Sequence, residues 1–236
     1  MRVVRKDSSY SSDQINKINK DIDFSKSLIG VGILILFWFL FFNTNQNYWW
    51  VFAVAIIFVS IGFVTNISLS RRAGRFFAGN YGEEKLLTIL KKYVSDEYVY
   101  IPNYKNLEFK QGDIDGILIG PTGLFLFEVK NWSGTFRVSG HDIYKHVGRE
   151  LYQLYKSPFD QLNNSVSTMT NFLLKNGLNI NPKPVIILVN GRVEAFRGQT
   201  GIYLTNLYGL TNNFLKTYSK KELSEDQIEK LVKLFS

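Results

Sequence analysis

Two uninterrupted apolar runs near the start limit what this chain can become. Leu28–Phe42 (LIGVGILILFWFLFF) and Tyr48–Ile67 carry no charge and are separated only by Asn43–Asn47. A helix crosses a hydrocarbon core of about 30 Å with roughly 20 residues. The second run reaches that length, and the first does so when a few flanking residues are counted. Neither has the apolar stripe of a helix that covers a soluble core on one side, and no small-residue cleavage site marks the first as a signal peptide. The expectation is a membrane hairpin over residues 27–67, with helices at about 27–43 and 48–67. Arg2, Arg5, Lys6, Lys17, Lys20 and Lys26 precede it, Arg71, Arg72 and Arg75 follow it, and the connecting loop has no positive charge. By the positive-inside rule both termini and everything after the hairpin lie in the cytoplasm, with Tyr48, Trp49 and Trp50 at the outer interface. Residues 1–26 read as a polar cytoplasmic segment with a helix over Asp13–Asp23, and residues 68–78 as a basic juxtamembrane linker.

The chain has no cysteine and only two histidines, His141 and His146. Disulfides and thiolate sites are excluded, and a His-rich zinc site is disfavoured. A metal would be held by carboxylates, which suits Mg²⁺ or Mn²⁺. Of the net charge of +8, residues 68–236 carry +6, from 22 Lys/Arg against 16 Asp/Glu. A basic globular part is compatible with nucleic acid or anionic lipid.

Within that part, Gly112–Trp132 (GDIDGILIGPTGLFLFEVKNW) reads as two strands around a Gly120–Gly123 turn. Side chains alternate across a strand, so Glu128 and Lys130 share a face, as do Asp113 and Asp115. A hairpin brings Asp115, Glu128 and Lys130 to one end of a sheet. Two carboxylates and an ammonium suit a metal-dependent phosphodiesterase: the carboxylates hold a hard cation and the lysine orients water or stabilises charge on phosphate. E-x-K on a strand is often only a surface ion pair. Here it ends a run, Leu124–Val129, greasy enough to be covered on both faces, where charges are costly unless paired, liganded or functional.

The other segments set the architecture. Gly79–Gly82 reads as a turn or helix entry, and Glu83–Tyr93 as a helix with Leu86, Leu87, Leu90 and Tyr93 on its buried stripe. Glu83 and Glu84 lie in its first turn, where they complement the helix dipole; alternatively Glu83 points at the sheet end and joins the metal site. Tyr98–Pro102 reads as a strand, Asn131–Gly134 as a turn, and Thr135–Ser139 and Ile143–Val147 as short strands. Ser157-Pro158 opens a helix over Phe159–Lys175 with Gln161 in its first turn, closed by Asn176-Gly177. Pro184–Val189 and Ile202–Leu204 are strands, and Asn206–Tyr218 and Glu222–Phe235 are helices. The class is α/β, a mixed central sheet flanked by helices.

Gly79–Glu84 (GNYGEE), Asp113–Ile119 (DIDGILI), Gly123–Gly134 (GLFLFEVKNWSG) and Ser157–Gln161 (SPFDQ), in this order, resemble the NERD (nuclease-related) domain of the PD-(D/E)XK nuclease superfamily. The resemblance spans about Gly79–Leu204 and implies a restriction-endonuclease-like domain over 79–205, followed by C-terminal helices over 206–236. It implies that Glu83, Asp115, Glu128, Lys130 and Gln161 are the catalytic set. Asp115, Glu128, the backbone carbonyl of Val129 and Glu83 would be the Mg²⁺ (or Mn²⁺) ligands, with Gln161 orienting the lysine or the phosphate. Two positions depart from the family pattern: Ser157 stands where an asparagine is usual, and Gly116 where a histidine is frequent. Neither is a metal ligand.

The resulting expectation is a membrane-anchored, metal-dependent nuclease with nucleic acid, DNA favoured, as partner. Lys145, Arg149, Tyr152, Tyr155 and Lys156 are candidates for tracking the backbone or stacking on bases, unless they form only a solvated helix face. The alternative is a non-catalytic, membrane-tethered module that binds nucleic acid or protein and keeps the polar set as a buried network. A homodimer or larger oligomer is compatible with both.

Overall fold

The computed structural model describes residues 1–4, 9–42, 49–105, 113–155, 157–197, 201–210 and 219–235. The chain divides into two compact units, Asp7–Ala78 and Met1–Lys6 together with Gly79–Ser236. The Asn43–Asn47 loop with Tyr48, Lys156, and residues 211–218 of the helix expected at 206–218 lie outside the described residues.

The first unit holds α1 (Ser9–Phe42) and the first part of α2 (Trp49–Tyr93). Both helices are long and apolar enough to cross a membrane, and only 11% of each apolar window is buried within the protein. Phe24, Leu34, Leu40, Phe41, Trp50, Phe63 and Val64 are all more than half exposed, which is the opposite of a soluble core helix. Small residues let the helices approach. A Cβ on Gly32 would stand 2.7 Å from Val59, and one on Gly62 2.7 Å from Ile29. Asn66 donates to the Ser25 hydroxyl at 3.0 Å. Such contacts, a close backbone approach with a polar cross-link, hold helices together where there is no water to drive them. A Cβ on Gly30, by contrast, would meet nothing within 4 Å.

Both helices run further than the sequence suggests. The helix expected at Asp13–Asp23 is continuous with the first apolar run, because no proline or glycine interrupts residues 9–29. Nor is Gly79–Gly82 a turn, because α2 passes straight through it. Gly82 is there for clearance instead: a Cβ would meet Val129 at 3.2 Å and Val189 at 3.3 Å, so the glycine lets the helix lie close on the sheet.

The second unit is built on an eight-stranded mixed sheet. Its strands are β1 (Arg2–Val3), β2 (Val99–Tyr104), β3 (Ile114–Gly120), β4 (Gly123–Ser139), β5 (Asp142–Val147), β6 (Glu150–Gln153), β7 (Lys183–Arg197) and β8 (Tyr203–Asn206). The spine is β4 and β7, which pair in parallel from Phe125↔Lys183 to Ser139↔Arg197. On its other edge β4 pairs with β3 over its first half and with β5 over its second, antiparallel in both cases. Asn131–Gly134 is therefore not a turn but mid-strand, with an irregularity in the β7 register between Lys130 and Ser133. Lys145, Arg149 and Tyr152 stand on the β5–β6 hairpin rather than on a helix face. Arg2–Val3 adds to β2 in parallel, so the start of the chain is part of this sheet.

The apolar runs of β3, β4 and β7 are explained by helices on both faces. Ile117, Ile119, Leu124, Leu126, Ile186 and Leu188 pack with α3 (Pro158–Lys175) and α5 (Glu225–Phe235), through Phe159, Leu162, Met169, Leu173, Leu231 and Phe235. The alternate residues Leu118, Phe125, Phe127, Val129, Val185 and Ile187 pack against Leu86, Leu90 and Val94. Each such side chain contributes about 1.5–3 kcal/mol by leaving water. Between β8 and α5, Asn206 caps a single helical turn, α4 (Leu207–Gly209), by accepting from the Gly209 amide at 2.7 Å.

Helix α3 begins where expected. Ser157 is its N-cap, accepting from the Phe159 amide at 3.2 Å while donating to the His141 carbonyl at 2.8 Å. A serine does here the capping work an asparagine does elsewhere. At the far end Gly177, with φ 73°, lets the Leu178 amide reach back to the Leu173 carbonyl at 2.9 Å.

Candidate active site

The β3–β4 ladder ends at Gly116↔Phe127. One residue further along, the strands part, and the Asp115 carboxylate takes up the Val129 amide at 2.7 Å. A side chain thus replaces a backbone acceptor, and the sheet opens at this point with Asp115 lodged in the gap. Glu128 and Lys130 leave β4 on the α3 side. Glu128 is only 2% exposed; one of its carboxylate oxygens is bound by the Lys130 ammonium and the other accepts from Gln161 Nε2 at 2.9 Å. Because α3 starts at Pro158, its first turn carries Gln161 to the strand end. The sequence spacing therefore becomes a bonded triad of Glu128, Lys130 and Gln161.

The opposite side supplies Glu83, from the last third of α2. Its side chain is bonded to that of Asn103, and it feels the charges of Asp115 and Asp113. Burial, followed by repulsion from Asp115, pushes the Glu83 pKa up to about 7. Burial and then Asp115 likewise raise Glu128 to about 7, against the opposing pull of Lys130. Burial raises Asp115 as well, with the Val129 amide and Lys130 pulling the other way. Three carboxylates, Glu128 buried and Asp115 and Glu83 half-buried, thus crowd one another, with Lys130 drawing on Glu128 and Asp115. Asp113 is outside this set: it pairs with Lys105 at 2.6 Å and is nearly half exposed.

All five residues of the expected catalytic set therefore interact in one place: Glu83, Asp115, Glu128, Lys130 and Gln161. Crowded carboxylates that resist ionisation are suited to a divalent cation, which would favour their charged forms. Among the described residues, no three His, Asp or Glu side chains converge closely enough to enclose a metal ion unaided.

The nucleic-acid candidates are not part of this cluster. The Lys145 ammonium lies 6.0 Å over the Phe136 ring, and the Tyr152 hydroxyl donates to Glu150 at 2.6 Å. Tyr155 is fully exposed, and Lys156 is outside the described residues.

Sequence reasoning missed two neighbours of the site. Asn103 bonds Glu83 from a left-handed backbone position, φ 49°. Asparagine tolerates that region better than most residues, which was the one available clue. Tyr100 is wholly buried on β2, and the charges of Glu83 and Asp115 both push its phenol pKa upward after burial itself.

No curated protein and no solved structure matches the chain. Residues 78–189 match the family model of the nuclease-related domain, a stretch that includes Glu83, Asp115, Glu128, Lys130 and Gln161. The mixed sheet opened at Asp115 and the E-x-K strand thus lie in a stretch, residues 78–189, that is similar to the nuclease-related (NERD) domain.

Proposed function

We propose that this protein is a membrane-tethered, divalent-metal-dependent nuclease that hydrolyses phosphodiester bonds of nucleic acid, DNA in preference, on the cytoplasmic side. The observation that carries the reading is the buried Glu128 held between Lys130 and Gln161, beside Asp115 and Glu83. Asp115, Glu128, the Val129 carbonyl and Glu83 would hold Mg²⁺ or Mn²⁺. Bound there, the ion supplies Lewis acidity to the phosphate and lowers the pKa of a bound water.

The chain's own groups do the rest. Gln161 fixes the Glu128 carboxylate so that it presents one orientation. Lys130, about a quarter exposed, is the one cation of the cluster that a phosphate can reach, and it orients the attacking water or stabilises charge building on the phosphoryl oxygens. The water's oxygen forms the new bond to phosphorus in line with the bond that breaks, and the leaving oxygen ends protonated.

The test is cleavage of single-stranded DNA, double-stranded DNA and RNA by the full chain in detergent, with Mg²⁺ or Mn²⁺ and with chelator. Metal-dependent cutting is expected, with DNA favoured, and Lys130→Ala should lower it by about 10²–10³-fold while remaining folded. Binding of nucleic acid with no cutting by either protein would favour a non-catalytic module instead.

Tethering rests on α1 and α2, and the cytoplasmic orientation on the arginines and lysines flanking them. One further observation supports an even number of crossings. The segment Asp7–Ala78 is bracketed in sequence by Met1–Lys6 and Gly79–Ser236, which belong to one compact unit, so its two ends join the same unit. The absence of cysteine makes this simple to check. In intact cells, Asn45→Cys should react with a membrane-impermeant maleimide; labelling only after lysis would refute the orientation.

A further inference from the structure

The Tyr100 hydroxyl is buried and has no hydrogen-bond partner among the described residues. A buried phenol normally finds an acceptor, and leaving one unmatched costs free energy. Its position is nevertheless held open. Gly116, the neighbour of Asp115, lacks the Cβ that would stand 2.3 Å from the Tyr100 hydroxyl oxygen and under 3 Å from its ring. The β2–β3 register, Tyr100↔Leu118 and Pro102↔Gly116, sets the ring diagonally across from Gly116. Phe127, the partner of Gly116 on β4, lies against the ring with centroids 6.3 Å apart. The residue preceding Gly116 is the carboxylate lodged in the sheet opening. A glycine at 116 and a tyrosine at 100 therefore deliver one uncommitted O–H to the side of the site where Glu83 and Asp115 meet.

We infer that Tyr100 is a positioning residue whose hydroxyl donates to the Asp115–Glu83 pair, directly or through a water, and fixes these carboxylates for a divalent cation. The inference rests on the metal-dependent reading above. Partners of metal-binding carboxylates typically account for about 10- to 100-fold in metal affinity. The phenol acts as a donor and stays protonated throughout.

The test uses the full chain in detergent and Mn²⁺ as the probe, with binding followed by calorimetry and metal-free stability by thermal unfolding. Tyr100→Phe keeps the ring and removes only the hydroxyl. Tyr98→Phe is the control, since its phenol is spent on Thr122 at 2.9 Å, away from the carboxylates. Tyr100→Phe is expected to bind Mn²⁺ about 10-fold more weakly or worse, with metal-free stability unchanged or raised. Tyr98→Phe is expected to lose stability and bind Mn²⁺ normally. Wild-type binding by Tyr100→Phe would overturn the assignment alone. So would weaker binding accompanied by a loss of metal-free stability as large as that of Tyr98→Phe, since the role would then be structural. No Mn²⁺ binding by the unaltered protein would overturn the metal reading and this inference together.

Discussion

Glu128→Gln is expected to leave a folded, more stable metal-free protein that has lost metal-dependent cleavage by on the order of 10³-fold or more. Glu128 is 2% exposed, and its carboxyl is held up to about 7 by burial and by Asp115. In the absence of metal, the charged form is thus tolerated at a cost that Lys130 and Gln161 only partly offset. An amide of the same shape removes that cost, its oxygen accepting from Lys130 while the Gln161 side-chain amide turns to accept from the new NH₂ group. What the amide lacks is the charge that would hold a hard divalent ion, and such electrostatic contributions amount to several kcal/mol of barrier at about 1.36 kcal/mol per tenfold. Opposite signs for stability and activity are the signature to look for, by thermal unfolding and by cleavage of a labelled oligonucleotide. Activity within tenfold of wild type would remove Glu128 from the chemistry. A joint fall in both quantities would instead make the cluster a structural network.

The same carboxylates predict an unusual pH dependence. Glu83 and Glu128 ionise at about 7 in the folded protein, above the ordinary value of 4.5. Between those values the folded chain holds protons that the unfolded chain has released. Stability from these groups is therefore complete below about pH 4.5 and is lost as pH rises through about 7, which is the reverse of a salt-bridged carboxylate. Each such proton changes stability by about 1.4 kcal/mol per pH unit. For even one proton, the metal-free melting temperature should fall by roughly 5–10 °C between pH 5 and 7.5 for a unit of this size. Mn²⁺ added at pH 7.5 should restore it, because a ligand that binds only the folded state stabilises that state. Thermal unfolding with chelator and with metal, at both pH values, measures this. A flat metal-free profile would mean that the carboxylates are not crowded as described.

Much of the site was legible because its signals are local. The period of two puts Glu128 and Lys130 on one face whatever the fold. The apolar runs of β3, β4 and β7 announce strands covered on both sides, and Ser157-Pro158 announces the helix that brings Gln161. The errors came where packing overrides a local turn signal. Gly79–Gly82 and Asn131–Gly134 look like breaks, yet the first passes through a helix because Gly82 is needed for contact with Val129 and Val189, and the second lies inside a strand that β7 supports along its length. The β6 strand was missed because Glu150–Gln153 is exposed throughout and has no alternation to read. Tyr100 was invisible because its role depends on an absent Cβ at Gly116, on another strand. Pairing between distant segments leaves no local trace, and β1 is the extreme case.

That first strand has a consequence for how the molecule is made. Arg2–Val3 is synthesised nearly a hundred residues before its partner Val99–Tyr100, with both apolar helices in between. At about 5–20 residues per second, the strand waits several seconds for its place. During that interval both apolar helices emerge, and the β2 edge closes only if β1 is still within reach of it. A chain whose β1 did not return would leave that edge bare, the kind of surface that recruits other chains. Closure of the β2 edge therefore depends on a pairing that reaches across the whole of the Asp7–Ala78 segment.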